Sequence, residues 1–356
     1  KRQAAVQVLK EGEVQGSDVV AHSAGILDIK TNILPNADAL FLTAIDPYGH
    51  ELWRWTFPVN KLNQQTEQLS PLSSRPTYTE TENDLTVKAN KRTFIFSKKD
   101  GQLKGVSVDN RKINFANGPR FIGARRADRS LDQFYNHDDE KAKEKDRTYS
   151  EFPDAAVFTK LDVKEDGGNL VVTANYKLGN LDKSQWTINP SGDLALDYTY
   201  NFSGVVDLMG IRFDYPEDQV ISKRWLGAGP YRVWQNRIHG TQYDVWENDY
   251  NDPIPGETFT YPEFKGYFGD VSWMNIQTKE GTISLTNETP DTYIGVYQPR
   301  DGRDRLLYTL PESGISVLNV IPPVRNKVNS TDLCGPSSQP KWVNGPQTGR
   351  VIFRFM

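Results

Sequence analysis

The chain has 356 residues, a net charge of −4 at pH 7 and 37% hydrophobic residues, enough to bury a sizeable core without disulfides or metal staples. Acidic and basic residues are interspersed rather than gathered into a basic stripe, which argues against a nucleic-acid partner, and no run approaches the roughly eighteen apolar residues of a membrane-spanning helix. The single cysteine, Cys334, rules out an intramolecular disulfide, and the chain opens Lys1-Arg2-Gln3 with neither methionine nor an apolar leader, as expected of a processed chain or a piece of a longer one.

The predicted elements begin with a hairpin. Residues 39–45 and 51–57 read as strands, and Asp46-Pro47-Tyr48-Gly49 places Asp, Pro and Gly where a type I turn favours them. Trp53, Trp55 and Phe57 alternate with Arg54 and Thr56, which predicts one buried face and one wet face. Burying the aromatic face requires a small immunoglobulin-like β-sandwich, of which too few strands are visible to close it. Residues 61–75 lose periodicity and turn to Asn, Gln, Ser, Thr and Pro, a linker composition. The first domain is therefore expected over residues 1–74 and the second over 75–356.

Beyond the linker, strands are predicted at 85–89, 93–97, 103–109, 157–163, 170–176, 185–189, 193–202, 282–286, 315–321 and 349–355. In one of them Leu194, Leu196, Tyr198, Tyr200 and Phe202 share a face while Ala195, Asp197, Thr199 and Asn201 share the other, a period of two. Lys99-Asp100-Gly101, Asp166-Gly167-Gly168 and residues 190–193 supply the turns. So many short strands argue an all-β, antiparallel sandwich and exclude a parallel α/β barrel, which needs about 250 residues of alternating strand and helix. The best helical candidate, residues 138–147, is charged all round and reads as a solvated loop or short surface helix.

The stretch from Arg224 to Asp252 is the chemically richest. Between Trp225 and Trp273 lie twelve of the forty aromatic residues, interleaved with Asn, Asp, Glu and Arg. Aromatic faces stack on the apolar faces of sugars, while carboxylates, amides and guanidinium groups hold hydroxyls. Trp234, Arg237, His239, Trp246 and Glu247 are the candidates to face a ligand, against the competing reading that most of them pack at a sheet interface. Trp225 reads as core, and Gly227, Gly229 and Pro230 as a tight turn where backbone approaches closely. His22, His50, His137 and His239 are too scattered for a metal site, and neither metal nor cofactor is expected. Cys334 reads as a packing residue rather than a nucleophile.

Several of these residues carry a family resemblance. Trp225-Leu-Gly-Ala-Gly-Pro230, Asn236-Arg237 and Trp246 resemble the signature of the last domain of family 2 glycoside hydrolases of the β-galactosidase type, the β-galactosidase small chain. The run from Phe94 to Leu103, followed by Asn117-Gly-Pro-Arg120, is similar to that domain's opening. The hairpin around Asp46-Pro-Tyr-Gly-His-Glu51 looks like the end of the sandwich domain that precedes it. The resemblance implies an antiparallel supersandwich of galactose mutarotase-like form from about Asp84 onward, preceded by an incomplete immunoglobulin-like sandwich. It departs from the family at Arg125-Arg-Ala-Asp-Arg-Ser130, which lacks the family's proline. Near the C-terminus it implies a sugar-stacking tryptophan, for which Trp342 is the displaced counterpart.

The two carboxylates of retaining hydrolysis, about 5 Å apart, sit in such enzymes on a barrel that this chain does not contain. Asn287-Glu288 imitates their acid/base pair but reads as a coincidence at a strand end. The resemblance thus implies no catalytic residue here: a non-catalytic region bracing a barrel of the same parent polypeptide, lining a galactoside-like carbohydrate site, in a periplasmic or extracellular setting. Two rivals stay open. A self-sufficient mutarotase-like or lyase-like enzyme would use His239 with Glu247 or Glu263 as base and acid, and a carbohydrate-binding module would bind without turnover.

Overall fold

The computed structural model describes residues 2–3, 5–30, 36–59, 74–126, 149–248, 266–297, 313–323 and 335–356. The linker expectation (but for Ser74 and Arg75), the charged segment 138–147, His137, Glu263 and Cys334 lie outside the described residues.

The described residues form an all-β, antiparallel protein. In chain order the strands are β1 (Arg2–Gln3), β2 (Ala39–Ile45), β3 (Glu51–Pro58), β4 (Thr77–Glu80), β5 (Asp84–Ala89), β6 (Arg92–Ser97), β7 (Leu103–Val108), β8 (Arg111–Ile113), β9 (Ala116–Arg126), β10 (Tyr149–Glu151) and β11 (Val157–Asp166). They continue with β12 (Asn169–Lys177), β13 (Leu181–Ile188), β14 (Leu194–Val206), β15 (Leu208–Asp214), β16 (Val220–Gly229), β17 (Gln242–Asn248), β18 (Trp273–Thr278), β19 (Gly281–Asn287), β20 (Tyr293–Tyr297), β21 (Gly314–Val320) and β22 (Lys341–Phe355). No helix among the described residues is long and apolar enough to cross a membrane.

Two large sheets stack face to face. The first runs β1-β17-β16-β18-β19-β22-β14-β13-β12-β11; the second runs β20-β21-β15-β9-β7-β6-β5-β4, with β10 joined to β9 and β8 to β7. The long pair β14 and β22 stays in register from Leu194 opposite Phe353 to Val206 opposite Lys341. Local turn chemistry sets the hairpins. Asp109 and Asn110, with φ of 48° and 64°, close β7 onto β8, and Gly167 and Gly168, at 58° and 91°, close β11 onto β12. Both are two-residue loops of the left-handed kind that matches strand twist.

Alternation then places the core. Leu194, Leu196, Tyr198, Tyr200 and Phe202 of β14 all enter it, as their period of two predicts. Trp186 of β13 reaches across to Phe96 of β6 and Phe213 of β15, with ring centroids 6.0 and 5.9 Å away. Phe115 lies 4.6 Å from Phe213 and 5.0 Å from Phe353, so aromatic contacts tie the two sheets together.

The hairpin of β2 and β3 overturns one expectation. Ala39 and Phe41 pack on Leu226, Val245 and Trp273, on the outer face of the first sheet. Arg54, expected on the wet face, lies 3.7 Å from Asp244 and stacks over the Phe41 ring at 4.1 Å. Trp53, Trp55 and Phe57, expected to be buried, are 52%, 43% and 48% exposed. The face is chosen by the ion pair and the Phe41 contact, and period-two alternation then turns the tryptophans outward.

Candidate functional site

A cleft of about 780 Å³ opens beside β9 and β15 and is lined by Lys104, Lys112, Asn114, Asn117, Arg120, Arg212, Asp214 and Tyr215, among others. Local sequence explains its charged floor. Phe121, Ile211 and Phe213 point into the core, so their neighbours Arg120, Arg212 and Asp214 point to the outer face of the second sheet. A Cβ on Gly118 would overlap the Phe213 ring, so only glycine lets β9 approach β15 this closely. Asn117 before it sits at φ 52°, a left-handed conformation that asparagine tolerates.

Arg120 and Arg212 are direct cross-strand partners. Arg120 pairs with the Asp214 carboxylate, whose second oxygen accepts the Asn117 amide at 2.9 Å. Burial and then the Arg120 charge lower the Arg212 pKa from its ordinary value, against the pull of Glu151, Asp214 and Asp154. Asp154 is raised above the usual carboxylate range by partial burial, which outweighs the Ala156 N–H and the two arginines. At the other end Glu280 accepts the Asn114 backbone N–H at 2.9 Å and the Tyr215 hydroxyl at 3.2 Å. Burial pushes the Tyr215 phenol well up, so it acts as a hydrogen-bond donor and not as a base. Lys104 is tied to Asp84 at 2.9 Å.

The six residues singled out from sequence do not converge on this cleft. Trp234 is buried against Ile122, Ala124, Leu208 and Leu318 and meets Tyr267 edge-on at 5.6 Å. Trp246 lies in the core between the sheets, opposite Trp225, and its indole N–H donates to the Gln242 carbonyl at 3.0 Å. Both indoles are withdrawn from solvent because the segment around 225–246 packs on sheet faces. A Cβ on Gly229 would overlap the Trp246 ring, and one on Gly227 would come within 3.0 Å of the backbone at 269–271. The motif glycines therefore serve packing. Glu247 is half-buried opposite Arg224, with the parity of Leu226 and Val245 that marks the outer face of the first sheet.

Arg237 and His239 are exposed on the turn that follows Trp234. That turn is pinned to residues 336–339: Gln235 donates to the Ser337 and Gln339 carbonyls at 2.9 and 2.7 Å, and Asn236 to the Ser338 hydroxyl at 2.8 Å. Trp342, 71% exposed, follows three residues later in β22. Asn287 is bonded to Thr292 at 2.9 Å, and Glu288 is paired with Arg350 at 2.8 Å.

Sequence reasoning missed the cleft. Arg120 was visible only within the Gly118-Pro119-Arg120 motif, and Arg212 and Asp214 not at all. The signal was present, since Ile211, Phe213 and Tyr215 alternate with Arg212 and Asp214 as a strand with one charged face.

The family described as Beta galactosidase small chain matches residues 88–321, about two thirds of the chain. No curated protein sequence matches. Among solved structures, the galactose 1-epimerase from Lactobacillus acidophilus is similar over 80% of this chain and 99% of its own, with 8% identity and a TM-score of 0.43. A GalM/aldose epimerase homologue from C. elegans follows at 8% identity, 79% and 99% coverage and a TM-score of 0.34. A copper-containing benzylamine oxidase from Hansenula polymorpha is similar over 88% of this chain and 68% of its own, at 8% identity and a TM-score of 0.29.

Proposed function

Because the chain belongs to the β-galactosidase small chain family, we propose that it is a non-catalytic C-terminal region of a β-galactosidase-like glycoside hydrolase. It braces a catalytic barrel elsewhere in the parent polypeptide and contributes a wall to that barrel's galactoside site. The carrying observation is the hairpin: Trp53, Trp55 and Phe57 present an apolar face to solvent, with Leu42 and Leu40 cross-strand from Trp55 and Phe57. A patch of this kind favours contact with another body. The wall is assigned to the turn carrying Arg237 and His239 and to Trp342 beyond it, because exposed aromatic and polar groups on pinned loops suit sugar rings. The domain division near Ser74 belongs to the same reading.

The test is to incubate the purified chain with galactose and short β-galactosides, following binding by tryptophan fluorescence and the anomers by NMR. Binding without turnover, weakened several-fold and at most about tenfold in Trp342→Ala, is expected, since an aromatic ring contact is worth about 0.5–1.5 kcal/mol. Cleavage would overturn the non-catalytic reading. Accelerated anomer exchange would replace it with a mutarotase-like one.

A further inference from the structure

We propose that the β2–β3 hairpin is a strap that lifts off the outer face of the first sheet as a unit while the stacked sheets stay folded, with the Arg54–Asp244 ion pair as its catch. The strap carries the aromatic face on which the barrel contact above rests, so its closure fixes where that face points. The opening itself does not depend on what the face touches.

The hairpin is bonded to itself rather than to the body. β2 and β3 form a two-stranded sheet of their own, joined to neither large sheet. Among the described residues, the backbone hydrogen bonds of residues 38–59 are internal: the ladder of β2 with β3, the bonds between Asp46, Gly49 and His50 at the turn, and the Val59 N–H donating to the Asp38 carbonyl at 3.0 Å. Two strands alone are marginal in water. Side-chain packing therefore holds the hairpin in place.

That packing is thin and incompletely bonded. Ala39 and Phe41 cover Leu226, Val245 and Trp273, which form a small cluster separate from the principal core. Arg54 lies over the Phe41 ring at 4.1 Å and 3.7 Å from Asp244, the one ion pair that links residues 38–59 to the rest of the described chain. At that separation the pair makes no hydrogen bond: Arg54 Nε is buried without a hydrogen-bond partner, and so is the indole nitrogen of Trp273. The Tyr243 hydroxyl of the same cluster meets Ser272 of the body, not the hairpin.

Closing the strap thus withdraws two donors from water and gives neither a hydrogen bond, a cost that opening removes. What opposes opening is the Phe41 packing and the charge contact. Regions with few buried apolar contacts open locally well below the free energy of global unfolding. The contrast is with β14 and β22, whose ladder runs from Leu194 to Val206 over the principal core.

The experiment follows the rate at which a thiol reagent reaches single cysteines placed in the 356-residue chain carrying Cys334→Ser. Val245→Cys, at a position 4% exposed, reports on the floor under the strap, and Val172→Cys reports on the principal core. The Val245→Cys thiol is expected to react about a hundredfold or more faster than the Val172→Cys thiol, since only the strap has to open. Arg54→Gln should speed the first several-fold and leave the second unchanged, and Arg54→Lys should restore most of the protection. Added salt should speed the Val245→Cys reaction when Arg54 is present and not in Arg54→Gln. Should Val245→Cys fail to fold, Ala39→Cys on the inner face of the strap gives the same reading. Equal rates over and under the strap and in the core overturn the proposal, because the hairpin then opens only when the whole chain unfolds. A fast Val245→Cys reaction that neither Arg54→Gln nor salt alters overturns the catch. Both results leave the galactoside test above untouched.

Discussion

At the residue scale, Asp193 and Arg354 illustrate how single contacts lock strand to strand. Arg354 Nε and its terminal nitrogen each meet one Asp193 oxygen at 2.6 Å, a bidentate pair at the end of β14 and β22. Burial pushes the Asp193 pKa up, but the hydrogen bonds and charge of Arg354, helped by Asn189 and Ser191, outweigh it and hold the carboxyl below its ordinary value. A carboxyl depressed in the folded state adds stability that is fully present above the unfolded carboxylate range, near pH 4, and is lost as pH falls through the folded value. Asp193→Asn should therefore cost about 1–3 kcal/mol at pH 7 and progressively less below about pH 4. Urea melts across that range check this; a penalty independent of pH would show that the charge is immaterial.

At the element scale, the β2–β3 hairpin is a strand pair whose inner face is held by Phe41 and the Arg54–Asp244 contact, while its tryptophans face outward. Such a hairpin contributes little to the rest of the chain through Trp53 and Trp55. Replacing both with serine should leave thermal stability within about 0.5 kcal/mol of the parent, as surface changes do, and should lower self-association in sedimentation. A large drop in melting temperature would mean that the aromatic face is buried in solution. The same element explains a limit of pattern reading. Alternation divides Trp53, Trp55 and Phe57 from Arg54 and Thr56, but it is silent on which face meets the body of the protein.

At the scale of the whole molecule, two ten-stranded sheets share one principal core, and Trp186 joins them by touching Phe96 and Phe213 of the opposite sheet. Trp186→Ala should destabilise the chain by about 3–5 kcal/mol, the range for deleting a large buried aromatic side chain. Chemical denaturation measures it. A cost below about 1 kcal/mol would indicate that the sheets repack independently of this contact.

Much of the strand pattern was legible because alternation and turn residues are local. β5, β6, β7, β12, β14, β19 and β21 fall within a residue or a few of their predicted spans, and Asp166-Gly167-Gly168 is the turn its glycines require. The tight approach at Gly227 and Gly229 was likewise readable, since only glycine admits it. Family membership was also written locally, in the run from Trp225 to Trp246. The roles of the candidate residues were not, because an aromatic residue on a strand reads the same whether it meets a sugar or a second sheet. Stacking of the sheets buried Trp234 and Trp246, and the antiparallel register of β9 with β15 placed Arg120, ninety-two positions away in sequence, beside Arg212. Pairing between distant strands depends on which faces find partners, so the chain's alternation determined the strands while tertiary packing alone decided which side chains a ligand can reach.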